Sequence, residues 1–252
     1  MKKLILLLMP YALCLVPSLA RGEDFHWKTS VGAMVYMAPR FLGSDIFDPF
    51  YMPAFETEYG PFFASVEQGV GLYLPVDEKR RLIFSPAIRW RVKRNLGDSW
   101  GTIQYIENIR PTATMRMILK LDPIIFSIRA TSGTTGDNRG ASYNFGITYK
   151  QDITEKLNLT VYTTAIYGNQ KFNQTYFGIT DGESAEFGFP VYAASTGMNS
   201  LDIGTKVKYF ITDHWAIDGM AEYLLLVAPA AHSPIVTNRN QVTVGLGASY
   251  RF

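Results

Sequence analysis

One cysteine and three histidines are all that 252 residues offer of the side chains most used for metal binding and nucleophilic chemistry. The cysteine, Cys14, lies in the apolar stretch Leu4 to Val16, which follows Lys2 and Lys3 and precedes Ser18-Leu19-Ala20. That is the layout of a cleavable secretory signal. With the cut placed after Ala20, residues 1–20 leave and the remaining domain, 21–252, has no thiol. Disulfides, a cysteine-ligated zinc site and a cysteine nucleophile are excluded together. A lipoprotein anchor is excluded as well, because Tyr11-Ala12-Leu13 before Cys14 lacks the small residues such a site needs.

Net charge is also lacking. Lys2 and Lys3 account for the whole excess of 24 basic over 22 acidic residues, so the secreted part is balanced and gives no electrostatic footprint for nucleic acid. Long apolar runs are missing beyond the signal. Leu224 to Ala231 is the longest, and Pro229 interrupts it. A spanning helix needs about 20 apolar residues, so nothing here crosses a bilayer as a helix.

What the chain has is alternation. In the last twelve residues Val242, Val244, Leu246, Ala248, Tyr250 and Phe252 face one way, and Gln241, Thr243, Gly245, Gly247, Ser249 and Arg251 the other. The pattern recurs at 141–150, 201–211 and 215–227. Several runs exceed the roughly 5–6 residues of a soluble strand and match the 9–11 tilted residues that cross a bilayer. The expected fold is all-β, a transmembrane antiparallel up-and-down barrel in one domain. Trp27, Tyr36, Tyr59, Trp90, Tyr149, Tyr167, Tyr209, Trp215 and Tyr250 near strand ends are expected to form the interfacial girdles.

Strands are predicted at 26–36, 50–59, 61–75, 81–94, 104–120, 123–132, 140–150, 156–168, 200–211, 214–227 and 241–252. Eleven conflicts with the even number that such barrels have. Gln68-Gly69 interrupts the 61–75 segment, and a tight turn there gives about twelve strands; one long bulged strand leaves ten as the alternative. Short turns at 59–61, 121–123, 151–155 and 212–214 are expected on the periplasmic side, and longer loops at 37–49, 95–103, 133–139, 169–199 and 228–240 outside.

With the apolar face toward lipid, a basic cluster of Arg89, Arg91, Arg110, Arg116 and Arg129 faces inward on three consecutive strands, joined by Lys93, Lys120, Lys150, Lys206, Lys208 and Arg251. Inward acids are Glu56, Glu58, Glu67, Asp202, Asp218 and Glu222. A charge on the lipid side costs about 2–4 kcal/mol at the midplane, which forces these groups into the lumen. Two arrangements fit: an open positive lumen suited to anionic solutes, or a narrow barrel filled by paired charges.

Chemistry is poorly supported. His232 and Ser233 are adjacent on an extended segment, where neighbours point to opposite faces. Asp213-His214 sits in a turn, and His26 has no second ligand near it in sequence. No catalytic residue, cofactor-binding residue, cofactor or metal site is expected. The 169–199 segment exposes Phe172, Tyr176 and Phe177 as a loop or partner surface, unless it folds into the mouth as a plug.

The residues Asn173-Gln174-Thr175-Tyr176-Phe177-Gly178-Ile179-Thr180, Thr212-Asp213-His214-Trp215, Ser233-Pro234-Ile235-Val236 and Ser249-Tyr250-Arg251-Phe252 together resemble the MipA/OmpV family of outer-membrane proteins. The likeness runs from Val31-Gly32 to the end. It implies a Gram-negative outer-membrane location in contact with lipid. It also implies a non-enzymatic scaffold joining a murein lytic transglycosylase and a murein synthase, the roles assigned to the family's namesake, an MltA-interacting protein. Relatives are tied to osmotic response, adhesion and antibiotic uptake. A porin-like barrel is the alternative, and an outer-membrane hydrolase a distant third. Gly247, Tyr250 and Phe252 are similar to the signal read by the barrel-assembly machinery, although Gly245 stands where a polar residue is common.

Overall fold

A computed structural model describes residues 25–92, 109–133 and 139–252; the expected signal at residues 1–20 lies outside them. Strands β1 (Lys28–Pro39), β2 (Phe47–Tyr59), β3 (Phe62–Ser65), β4 (Gly69–Leu72), β5 (Leu74–Pro75) and β6 (Leu82–Val92) are followed by β7 (Ile109–Leu121), β8 (Ile124–Gly133), β9 (Ala141–Thr154) and β10 (Leu157–Gly168). Helices α1 (Gln170–Phe177) and α2 (Asp181–Phe187) intervene before β11 (Gly197–Phe210), β12 (Trp215–Leu226) and β13 (Asn240–Arg251). Every strand pairs antiparallel with its neighbour, β13 returns to β1, and β4 and β5 pair with β6, so the sheet closes on itself. Counting β4 and β5 as one strand broken at Tyr73, the wall has twelve strands.

The alternation sets the faces. Val31, Val35, Met115, Ile128, Phe145, Ile203 and Leu246 are exposed on the outside, where the hydrophobic belt meets lipid. Of the expected girdle, Trp27 and Tyr59 stack at 4.7 Å at one end, and Tyr167 approaches Tyr143, a residue outside the expected set, to 6.4 Å at the other. Tyr36 does not join it. Its register partner is Gly245, so its ring enters the lumen, and its hydroxyl donates to Met34 Sδ. A position near a strand end did not reveal which face it occupied.

The expected 61–75 strand is a hairpin, and proline placement explains its shortness. Val66 N–H donates to Phe55 C=O, so the backbone of Phe55 faces the β3 edge of β2. At period two, Pro49 and Pro53 face the same edge and have no N–H to give. The ladder that would extend β3 past Ser65 lacks its donors at Pro53 and Pro49, and the chain turns at residues 66–68. The register of β4 and β5 on β6 brings Leu72 opposite Pro86, another missing donor, where the strand breaks.

Several boundaries also moved: β1 runs on to Pro39 and β2 begins at Phe47, which shortens the expected 37–49 loop. β9 continues through Gln151 and Asp152 to Thr154, and β11 begins at Gly197. Polar residues do not end a strand that projects beyond the membrane into water, because its ladder is intact there. The expected loops at 95–103 and 133–139 fall largely outside the described residues, as does the start of the 104–120 strand.

The seam depends on Gly69. Its φ is +81°, and an added Cβ would lie 2.0 Å from Ile88 O across the β4–β6 contact. Left-handed backbone alone costs a residue with a Cβ roughly 1–2 kcal/mol, and the clash adds to it. Gly69→Ala is expected to lower the urea midpoint of the detergent-refolded barrel by more than Gly219→Ala, whose added Cβ meets nothing within 4 Å. Equal midpoints would contradict this account of the seam.

Candidate functional site

The turn of the short hairpin, Val66-Glu67-Gln68, projects into the barrel. Lys206 on β11, the strand diametrically opposite in the twelve-strand order, donates from Nζ to both carboxylate oxygens of Glu67 at 3.0 and 2.8 Å. The side chains remain 40% and 73% accessible, so this ion pair adds little to stability, at most about 1 kcal/mol. Its effect is positional: it ties the hairpin tip to the far wall across the lumen.

Beneath the tip, inward side chains of β6, β7 and β8 converge. Arg89, Arg116 and Arg129 border one small pocket with Phe63, Gln68 and Ser85. Arg89 donates to Glu67 C=O at 2.7 Å, and Arg116 to Gln68 Oε1 at 2.6 Å. Tyr73, stacked on Phe63 at 4.4 Å, also donates to Gln68 Oε1 and lies under the Arg116 guanidinium. Arg91 and Arg110 are register partners higher on the same strands, and their side chains lie outside the described residues. On the opposite wall Lys208 pairs with Asp218 at 3.3 Å, Asp218 accepts from Ser249, Glu222 accepts from Tyr162, and Asp202 is buried with no ion pair among the described residues.

The 169–199 segment is not a loop. Asn169 caps α1 by accepting from Phe172 N–H, and Thr180 and Glu183 form a reciprocal capping box on α2. Phe177 is 2% exposed and packs with Leu226, Ala230 and Ala231, flanked by Tyr176, Leu224 and Val236. Leu224 is register partner of Asp202 and Gln241, so it faces inward. This apolar cluster fills part of the outer mouth.

Polar bonds fix the same plug. Asn173, fully buried, donates to Gly168 and Ser195 carbonyls and accepts from Asn199. Ser233 donates to Phe177 C=O. Burial raises the pKa of the Tyr192 phenol, which stays a donor to Pro229 C=O at 2.8 Å. Gln241 accepts from Gly43 N–H and donates to Ser44 C=O, which draws the 40–46 loop onto the same side. Phe177 is therefore not a partner surface; its burial corrects that expectation. Phe172 and Tyr176, ring centroids 4.6 Å apart, remain partly accessible beside it. The segment's length flagged it in the sequence, but its buried amide network had no local signature.

At the opposite end the terminal residues form an aromatic cluster. Tyr250 meets Trp215 at 5.2 Å and Phe252 at 5.0 Å, both edge-on, and Phe252 N–H donates to Thr29 C=O. Gly247 sits where an added Cβ would be 2.4 Å from Ala33 O on β1. Arg251 stands at this rim, not in the lumen: it donates to Asp213 C=O and covers the Phe210 ring. His214 bonds through Nδ1 to Arg251 C=O at 2.9 Å, so its ring serves the turn. Ser233 and His232 do not bond to each other, since the Ser233 hydroxyl is given to Phe177. Among the described residues no group of three or more His, Cys, Asp or Glu converges as a metal site.

Removing the Phe177 ring leaves a cavity at the centre of the plug, where such truncations cost about 3–5 kcal/mol. Phe177→Ala is expected to make residues 169–196 cleavable by protease added to intact cells, with the barrel still folded in detergent. Unchanged protection would show that the cluster does not hold the plug.

The model of the MltA-interacting protein MipA family matches residues 31–252. The chain is 32% identical to outer membrane protein OmpV of Vibrio cholerae serotype O1 over 116 residues, 46% of this chain and 44% of that protein. It is 30% identical to Omp26La of Vibrio anguillarum over 116 residues, with the same shares. The putative outer membrane protein YiaT of Escherichia coli K12 is 28% identical over 97 residues, 38% of this chain and 39% of that protein. These alignments span less than half the length of each relative. Among solved structures, the NanC porin is similar at a TM-score of 0.45 and 10% identity, with 90% of this chain and 100% of that chain covered. The KdgM porin gives 0.41 and 10%, over 90% and 99%. On the family match over nearly the whole barrel, the chain belongs to the MltA-interacting protein MipA family and is an outer-membrane β-barrel.

Proposed function

We infer that this barrel is a non-enzymatic envelope scaffold, exported by its cleaved signal and inserted by the barrel-assembly machinery. It holds murein-degrading and murein-synthesising enzymes at the inner surface of the outer membrane. The observation that carries this reading is the obstructed lumen. The hairpin tip is tied across the bore by Glu67 and Lys206, and the outer mouth is occupied by the Phe177–Leu226 cluster. A barrel obstructed at two levels is poorly arranged for flux and offers its rims for binding. The family's description as MltA-interacting agrees in kind. The docking surface is the rim of short turns, at Gly60-Pro61, Asp122-Pro123, Glu155-Lys156 and residues 211–214, together with the N-terminal segment.

Affinity capture on the purified protein from solubilised envelopes is expected to enrich a murein transglycosylase and a murein synthase. Recovery of neither above the level on an unrelated barrel would overturn the scaffold reading.

One observation favours transport instead: the arginines on β6 to β8 give one wall of the lumen a positive face. Planar-bilayer recording separates the two. The wild type is expected to show no stable open steps, and Glu67→Gln combined with Phe177→Ala, which loosens both obstructions, to show frequent ones. Stable anion-selective openings of the unaltered protein would establish a pore.

A further inference from the structure

The geometry points to an oxyanion-binding site inside the barrel, formed by Arg116 and Arg129 with Gln68 above them and selective for a carboxylate or phosphate group on a small solute. It goes beyond scaffolding and does not depend on any protein partner.

Arg116 and Arg129 are direct register partners on β7 and β8, both facing inward. Like charges directly opposite on neighbouring strands are destabilising. Neither guanidinium has a carboxylate within 4 Å among the described residues. Among the described residues Arg116 donates to the neutral Gln68 oxygen and rests on the Tyr73 ring, while Arg129 makes no hydrogen bond to a described protein group. Glu67 is the nearby acid, but Lys206 takes both of its carboxylate oxygens from the far wall. The hairpin thus brings a carboxylate to the arginine wall and then commits it elsewhere.

Beside the apolar Phe63 and Ala87, the remaining lining carries side chains able to donate. Gln68 Oε1 accepts from both Tyr73 and Arg116, which leaves its amide NH2 without an acceptor among the described residues. Ser85 is the register partner of Arg116, and Thr114 lies two residues along the same face; both border the pocket and both are buried. Two planar forks, an amide NH2 and two hydroxyls fit a ligand whose oxygens only accept. Arginine suits such a group because its fork bonds two oxygens of one carboxylate or phosphate at once, which lysine cannot do. A chloride ion matches the charge but not the fork.

Isothermal titration of the purified protein in detergent tests the site with inorganic phosphate and with acetate, each against chloride at matched ionic strength. Saturable heat with either probe is expected, and the stronger of the two identifies the preferred group. Arg129→Gln and Arg116→Gln are each expected to weaken binding about tenfold or more. Arg129→Lys, which retains the charge and the fold but loses the fork, is expected to fall between. Lys208→Gln, on the opposite wall and already paired with Asp218, is expected to bind as the wild type does. The assignment is overturned if neither probe gives saturable heat. It is also overturned if Lys208→Gln weakens binding as much as Arg129→Gln, which would mean only diffuse attraction to a charged lumen, or if Arg129→Lys binds as well as the wild type.

Discussion

A strand that crosses lipid has only its neighbours to satisfy its backbone N–H and C=O groups, and the rest of this molecule follows from that demand. Closure must be complete, yet Pro49, Pro53 and Pro86 remove donors along the edges that meet at the seam. The wall there is made by the shortest strands, β3, β4 and β5, joined to β6 by a few pairs and a left-handed glycine. Where the prolines stop the ladder the chain has to turn. The turn lies at the level of the lumen, and that places Glu67 opposite Lys206.

The same demand relocates the hydrophobic core. With the apolar faces of all twelve strands committed to lipid, the wall has no interior of its own to bury. A cluster of buried apolar side chains forms instead in the mouth, where Phe177, Leu226, Ala230 and Ala231 pack together, while Phe63, Ile83 and Ile118 are buried singly or in pairs along the wall. The plug therefore resembles a small soluble core set into a membrane protein, held by burial and by the amide network of Asn173 and Asn199. The lumen below it is polar, and its charges are unevenly matched: Lys208 pairs with Asp218, while Arg116 and Arg129 face each other with no carboxylate within 4 Å among the described residues. This asymmetry, more than the number of basic residues, distinguishes the inside of this barrel.

Much of this was legible without coordinates because period-two patterning is local. Val242 to Phe252 announces both faces of the closing strand, and a charge that cannot face lipid has to face the lumen, so Arg89, Arg116 and Arg129 could be placed inward from sequence. Even the extra reversal was signalled by Gln68-Gly69. What escaped was non-local. Tyr36 reads as a girdle residue until its register with Gly245 is known. Phe177 reads as an exposed loop aromatic until Leu226, nearly fifty residues on, is found against it.

The sequence by itself determined the fold class and the facing of the cleanly alternating strands, since these follow from period-two patterning and the cost of burying charge in lipid. Tertiary structure alone decided what fills the bore. The Glu67–Lys206 tie, the plug and the facing of Arg116 with Arg129 each join segments far apart in the chain, and strand register, which is set only when the whole sheet closes, brings them together.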